Sequence, residues 1–291
     1  MMLLLLLAFN WLVMFLALDL VFSLAHNVVT HYQLFVIGAV SLAIVVWLAF
    51  LFNSSAGQWF LRLLSGARKT IAREDAKLNP LISQVQKAIQ ERHGLIPLDV
   101  RVMIVDNPIP NAFAVGSHTL IVSRAMYETS TDAQMLGVIA HEFGHLHHGD
   151  SQKLGIALGV SVVSMTVAMV ASAIATVIEA FSRIFSSTKS DAGIFMAIFG
   201  YIFSFMALFF MAFVYAGNGM LKLAMLFVGR KQEYKADQFA IQAGFGAGLL
   251  SFLDKLKDLQ FDAPKNLFSK LYETHPPTML RIGEAEKAMQ N

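Results

Sequence analysis

Cysteine is absent from the 291 residues, which removes disulfides, thiolate metal sites and cysteine nucleophiles together. Charge is scarce: 14% of residues are Asp, Glu, Lys or Arg, against about 25% in an ordinary soluble domain. The net charge of +2 is slight and its basic residues are scattered, so no nucleic-acid partner is expected. Internal repeats and low-complexity tracts are missing too, apart from a leucine run near Met1. No Lys or Arg precedes that run, which is longer than the roughly 7–15 apolar residues of a signal-peptide core. A retained membrane anchor is expected.

Apolar residues, by contrast, make up 56% of the chain. The charge deficit is concentrated in residues 1–18, 34–52, 154–178 and 194–221, which carry no charged side chain. Each is long enough to cross a ~30 Å hydrocarbon layer, which takes roughly 17–25 residues as helix. The expected organisation is therefore two spans with a short periplasmic loop (1–52), a polar segment (53–153), two more spans with a short periplasmic loop (154–221), and a polar tail (222–291). Arg183 and Lys189 are the basic residues between the third and fourth spans, and the first loop has none. The other Lys and Arg residues lie in the two polar segments. Basic residues accumulate on the cytoplasmic side, so both polar segments and both termini are expected there, in a bacterial inner membrane.

In the first polar segment, apolar residues recur at helical spacing from Ser54, with Pro80 inside and Gly94 as a stop. Residues 98–105 alternate as a strand; two short strands follow at 112–115 and 119–123, separated by a Gly-Ser turn. A capped helical pattern then runs to Gly149. In the tail, a helix ends at the glycines after Gln242, and two shorter ones are expected at 247–259 and 277–289. Residues 220–229 read as a membrane-surface stretch. Neither segment holds a convincing core alone. Together they form a small α+β domain with a small β-sheet, so the fold class is a mainly α membrane protein of four transmembrane helices plus a cytoplasmic α+β domain.

The chemistry concentrates in "HEFGH", residues 141–145. On a helix, positions i and i+4 share a face, so His141 and His145 can hold one metal ion. Neutral imidazole suits zinc, and a catalytic zinc takes three protein ligands and leaves a position for water. Zinc lowers the pKa of that water to about 7. Glu142, beside the first ligand, can take its proton and later return it to the leaving amine. The metzincin pattern is excluded, because His148 and Ser151 stand where it needs Gly and His. For the third ligand, Glu233, Glu273, Glu284, Glu286 and His275 are all candidates. Glu233 ranks first, since it sits on a clear helix with Asp237 one turn later, where a carboxylate could orient a ligand histidine. His147 and His148 read as a solvated helix end, and His93 shows no partner pattern.

"HEFGH", "EYKAD" (233–237) and "HPPTMLR" (275–281), in this order and with four spans, resemble the HtpX-type integral-membrane zinc metallopeptidases, relatives of the CAAX prenyl protease. "PNAFAVG" (110–116) also looks like a segment of that family, and the resemblance covers essentially the whole chain. It implies a gluzincin site that binds one zinc ion per chain through His141, His145 and Glu233, with Glu142 as general base and Asp237 as partner of a ligand histidine. It also implies His275 and Arg281 near the substrate carbonyl, where a protonated imidazole and a guanidinium can stabilise an oxyanion; a salt bridge to Asp237 is the structural alternative for Arg281. Asn111, Ala112, Phe113 and Ala114 look like an edge strand that pairs with extended substrate, although a turn role suits Asn111 as well. The implied activity is endoproteolysis of misfolded or damaged membrane proteins under stress. Two alternatives are a prenyl-protein endoprotease, whose larger relatives have more spans, and a non-enzymatic four-span scaffold or transporter subunit.

Overall fold

A computed structural model describes residues 2–25, 30–186, 191–259 and 278–290. In chain order it comprises α1 (Met2–Ala25), α2 (His31–Asn53), α3 (Ser55–Leu64), β1 (Arg68–Lys69), α4 (Ala72–His93), β2 (Arg101–Val105), β3 (Ala112–Val115) and β4 (Thr119–Ser123). There follow α5 (Arg124–Thr129), α6 (Asp132–His148), α7 (Asp150–Ser186), α8 (Asp191–Gln242), α9 (Gly246–Leu259) and α10 (Thr278–Gln290). Helices α1, α2, α7 and α8 each contain a stretch long and apolar enough to cross a membrane: Leu3–Leu20, His31–Asn53, Asp150–Ile184 and Asp191–Gly219. Residues 220–229 continue α8 without a break. The tail helix that carries Glu233 is thus the same helix as the fourth span.

The chain divides into two compact units, one of residues 1–52 and 156–224, the other of residues 53–155 and 225–291. In the first, Val13, Ala168 and Val214 form a small buried cluster with Phe9 and Phe213 packed against it. Large apolar side chains such as Phe35, Phe50, Phe205 and Phe209 face outward. That arrangement is unfavourable in water and natural in lipid, whose tails are as apolar as the side chains.

The second unit has a four-stranded sheet in the order β1-β2-β4-β3. β2 runs parallel to β4, while β1 and β3 pair antiparallel at the two edges. Strands β3 and β4 lie where the turn signals placed them. The helical reading from Ser54 is corrected between Leu64 and Ala72: Gly66 adopts a left-handed φ of 68°, and Arg68 and Lys69 pair with Ile104 and Met103. Helix α5, which follows directly from β4, had no periodic signal.

Helix α6 is the core of this unit. Met135, Ile139 and Phe143 are fully buried on it, among residues from α4, β4, α8 and α9. Two glycines set how closely α9 crosses it: a Cβ on Gly137 would lie 2.2 Å from the Leu249 nitrogen, and one on Gly248 would lie 1.9 Å from the Ala133 oxygen. Any side chain at either position would force the helices apart.

Candidate metal centre

Helix α6 is fixed at both ends. Thr131 caps its start, exchanging hydrogen bonds with Gln134, and Gly149 ends it in a left-handed conformation with φ 68°. Orphan groups at both helix ends thereby gain partners. Within it, His141 and His145 project from one face, with their Nε2 atoms 3.2 Å apart. Gly144 brings α8 close, since a Cβ there would sit 3.1 Å from the Ala236 Cα. That approach delivers Glu233, whose Oε2 is 3.4 Å from His141 Nε2 and whose Oε1 is 3.2 Å from His145 Nε2. All three side chains are buried. Among the described residues these three form the group able to share one ion.

Their donor set of two imidazoles and a carboxylate suits a transition-metal ion. In a tetrahedral site with Zn–N and Zn–O bonds near 2.05 Å, neighbouring ligand atoms are roughly 3.3 Å apart. The observed separations of 3.2–3.4 Å, running from His141 to Glu233 Oε2 and from His145 to Oε1, are of that size. A hard-cation site for magnesium or calcium would instead be built of oxygens.

Both imidazoles are held from behind. His141 Nδ1 lies 2.8 Å from Asp237 Oδ1, one turn beyond Glu233 on α8. A proton on Nδ1 leaves the Nε2 lone pair directed at the shared point. His145 Nδ1 lies 3.5 Å from Asp150 Oδ2, and Gln232 Nε2 donates to Asp150 Oδ1 at 2.7 Å. The residue before Glu233 thus clips the carboxylate that backs His145. Asp150 escaped the sequence reading, because only the tight turn at Gly149 folds the first residue of α7 back over the last turn of α6. Burial opposes a charge on His145, but Asp150 and Glu233 hold its pKa up at about 10.

Arg281, on α10, is buried against Asp237. Its Nε donates to Oδ2 at 2.9 Å and its Nη2 to Oδ1 at 2.6 Å, a bidentate pairing. Its Nη1 lies 3.3 Å from Glu233 Oε2. Burial disfavours ionised Asp237, yet the charges of Arg281 and then His141 depress its pKa to about 2. His275 lies outside the described residues.

Glu142 points to the other side of the site. Its Oε1 is 4.0 Å from His141 Nε2, and its Oε2 accepts a hydrogen bond of 2.9 Å from the Ala114 backbone N–H. The pairing register explains that bond. The Ser123 N–H donates to the Asn111 carbonyl, and Ala112 lies opposite Val122. In an antiparallel ladder such pairs alternate, so Phe113 bonds toward β4 while Ala112 and Ala114 present their backbone to the open edge. Asn111 is held at the strand entry, its N–H donating to Ser123 Oγ at 2.8 Å.

Three other histidines gather elsewhere. His93 stacks on Phe239 with ring centres 4.3 Å apart, and His147 and His148 pack against the same ring. The reading of a solvated helix end holds for His148, which is exposed, while His147 is half-buried against that aromatic side chain of α8. Burial, then the neighbouring His148 and His93, lower the pKa of His147.

A helical membrane protein that converges two histidines and a glutamate on one point, with a second glutamate beside them, has the makings of a metallopeptidase. Comparison with known proteins agrees. Residues 74–289 match the model of peptidase family M48, and the chain belongs to that family; it is a membrane metalloprotease. A "Protease HtpX homolog" of Tropheryma whipplei (strain Twist) is 32% identical over 242 residues, 76% of this chain and 75% of that protein. One from Dictyoglomus turgidum is 26% identical over 152 residues, 51% of this chain and 48% of that protein. The crystal structure of S. mikatae Ste24p is similar with a TM-score of 0.46 at 21% identity, over 84% of this chain and 57% of that one.

Proposed function

We propose that this protein is a zinc-dependent endopeptidase that cleaves misfolded or unfolded membrane polypeptides, with its active site on the cytoplasmic face of a bacterial inner membrane. The observation that carries this reading is the convergence of His141 Nε2, His145 Nε2 and the Glu233 carboxylate: the two nitrogens are 3.2 Å apart, with Glu233 Oε2 3.4 Å from His141 and Oε1 3.2 Å from His145. These three residues would hold one zinc ion. When bound, the ion would supply the Lewis acidity that ionises water near neutral pH and polarises a peptide carbonyl.

The chain's own residues do the rest. Asp237 and Asp150 orient the two imidazoles through their Nδ1 atoms. Glu142, tethered by the Ala114 N–H, takes the proton of the attacking water and delivers it to the leaving amine. Arg281 keeps Asp237 ionised and adds positive potential at the wall of the site, where, with His275, it stabilises the developing oxyanion. Asn111, Ala112, Phe113 and Ala114 form the substrate strand. The outward backbone of Ala112 and the Ala114 carbonyl pair with an extended polypeptide, which favours unfolded substrates over a fixed sequence. Quality control of membrane proteins under stress is the corresponding cellular role. The excess of Lys and Arg in the polar segments supports the cytoplasmic orientation.

The test is Glu142→Gln in the full chain, assayed against an unfolded polypeptide. Zinc content stays at one per chain while turnover falls about 10²–10⁴-fold, the usual range for a lost general base. Undiminished cleavage by clean preparations of the variant would reject the mechanism.

A further inference from the structure

Helix α3 exposes its greasy side. Trp59, Phe60, Leu63 and Leu64 are 58%, 40%, 60% and 67% exposed, and their i, i+1, i+4, i+5 spacing gathers them on one face. The opposite face is clamped to the second unit. Gly57 is buried, Gln58 Nε2 donates to Ser117 Oγ at 3.0 Å, and Arg62 Nη1 donates to Thr119 Oγ1 at 3.4 Å. Leu61 lies against Gly155. Elsewhere among the described residues of this unit, exposed large apolar side chains are scattered, as at Ile71, Ile96 and the Met279–Leu280 pair. A four-residue apolar face on one helix marks an interaction surface.

Chain connectivity says what covers it. α2, a membrane span, ends at Asn53 and α3 begins at Ser55, so a single residue, Ser54, separates α3 from the end of that span. On its flank, Arg62 and Arg101 line a cavity of about 510 Å³ together with Ser55, Gln58, His118 and Asp99. Two guanidiniums against a single carboxylate complement lipid phosphates. An amphipathic helix with aromatic and leucine side chains on one face and arginine beside it suits the headgroup layer.

We infer that α3 is an interfacial helix: Trp59, Phe60, Leu63 and Leu64 lie in the membrane surface, and its clamp on the turn between β3 and β4 holds the open β3 edge at headgroup level. On the proposed protease reading, the substrates are polypeptides emerging from the bilayer, engaged where they leave it.

Because the chain has no cysteine, single spin labels at 59, 60, 63 and 64 can be introduced directly, with Lys87→Cys on exposed α4 as the aqueous reference. In nanodiscs containing anionic phospholipid, the ratio of oxygen to nickel-chelate accessibility at the four positions should exceed that at 87 at least several-fold. Equal ratios would overturn the inference. So would exclusion of both reagents, which means that protein covers the face, or dipolar coupling between labels on two copies. Circular dichroism checks that each variant folds, and this readout does not depend on activity. Separately, Leu63→Glu with Leu64→Glu should lower cleavage of a membrane-tethered unfolded substrate about tenfold and spare a soluble unfolded one. Equal loss on both substrates counts against the inference. A parent inactive on both substrates would reject the protease reading and leave the accessibility result to decide the placement of α3.

Discussion

In the span-forming unit, many polar side chains bond within a turn of their own helix. Asn10 Nδ2 donates to the Leu6 carbonyl, Ser41 Oγ to Gly38, Thr166 Oγ1 to Val162 and Thr176 Oγ1 to Ser172. In the other unit, His141, Glu142, His145, Glu233, Asp237 and Arg281 are all buried and reach one another from three separate helices. The first pattern makes polar groups tolerable in hydrocarbon, where no water can serve them. The second concentrates unlike charges at one point, which costs desolvation and is sustained only while every member keeps its partner. One unit minimises the consequence of losing a polar group; the other maximises it.

The sharpest way to break that comparison is Asp237→Asn. It leaves Arg281 buried without the carboxylate that takes two of its hydrogen bonds, so a loss of about 3 kcal/mol or more is expected. Chemical denaturation in detergent measures it, and a change under about 0.5 kcal/mol, the usual size for a surface substitution, would erase the contrast.

Acid sharpens the same point. Asp237 titrates near 2 in the folded protein, below its ordinary value of 3.8. Its contribution is therefore complete above the unfolded value and is lost as pH falls from about 4 through about 2. The parent should lose roughly 2 kcal/mol there, and the stability gap to Asp237→Asn should narrow over the same window. A gap constant from pH 6 to pH 2 contradicts the assignment.

Asp150→Asn is expected to weaken zinc binding about 10–100-fold, the usual effect of removing a partner behind a ligand histidine. Competition with a chromophoric chelator reads this without any activity assay. At the bottom of the scale stands Ser164→Ala between two spans. Asn218 Nδ2 donates to Ser164 Oγ at 3.3 Å but also to the Val214 carbonyl at 3.0 Å, so its amide keeps a partner. About 0.6 kcal/mol is expected; a loss as large as that of Asp237→Asn would show that the spans, too, hold an interdependent polar cluster.

Local pattern was legible where one periodicity governed a segment. The turn signals around Ala112–Val115 and Thr119–Ser123, and the capped run into "HEFGH", fixed those elements in place. Illegible were the pieces whose cause lies elsewhere in the chain. β1 is two residues long and exists only because β2 lies alongside. α5 has too few residues to show a period. The bond from Ala114 N–H to Glu142 and the contact of Asp150 with His145 depend on an edge register and a left-handed glycine, neither of which alters residue spacing.

From the sequence alone came the four membrane helices, the absence of any thiolate ligand, and two imidazoles placed one turn apart by the 3.6-residue period of a helix. Only the tertiary structure decided which carboxylate joins them. Glu233 lies beyond two further spans, and its arrival depends on Gly144 admitting α8 against α6. The partners behind each imidazole were likewise set by packing, because hydrogen-bond geometry between helices is a property of how they cross and is not written in either helix separately.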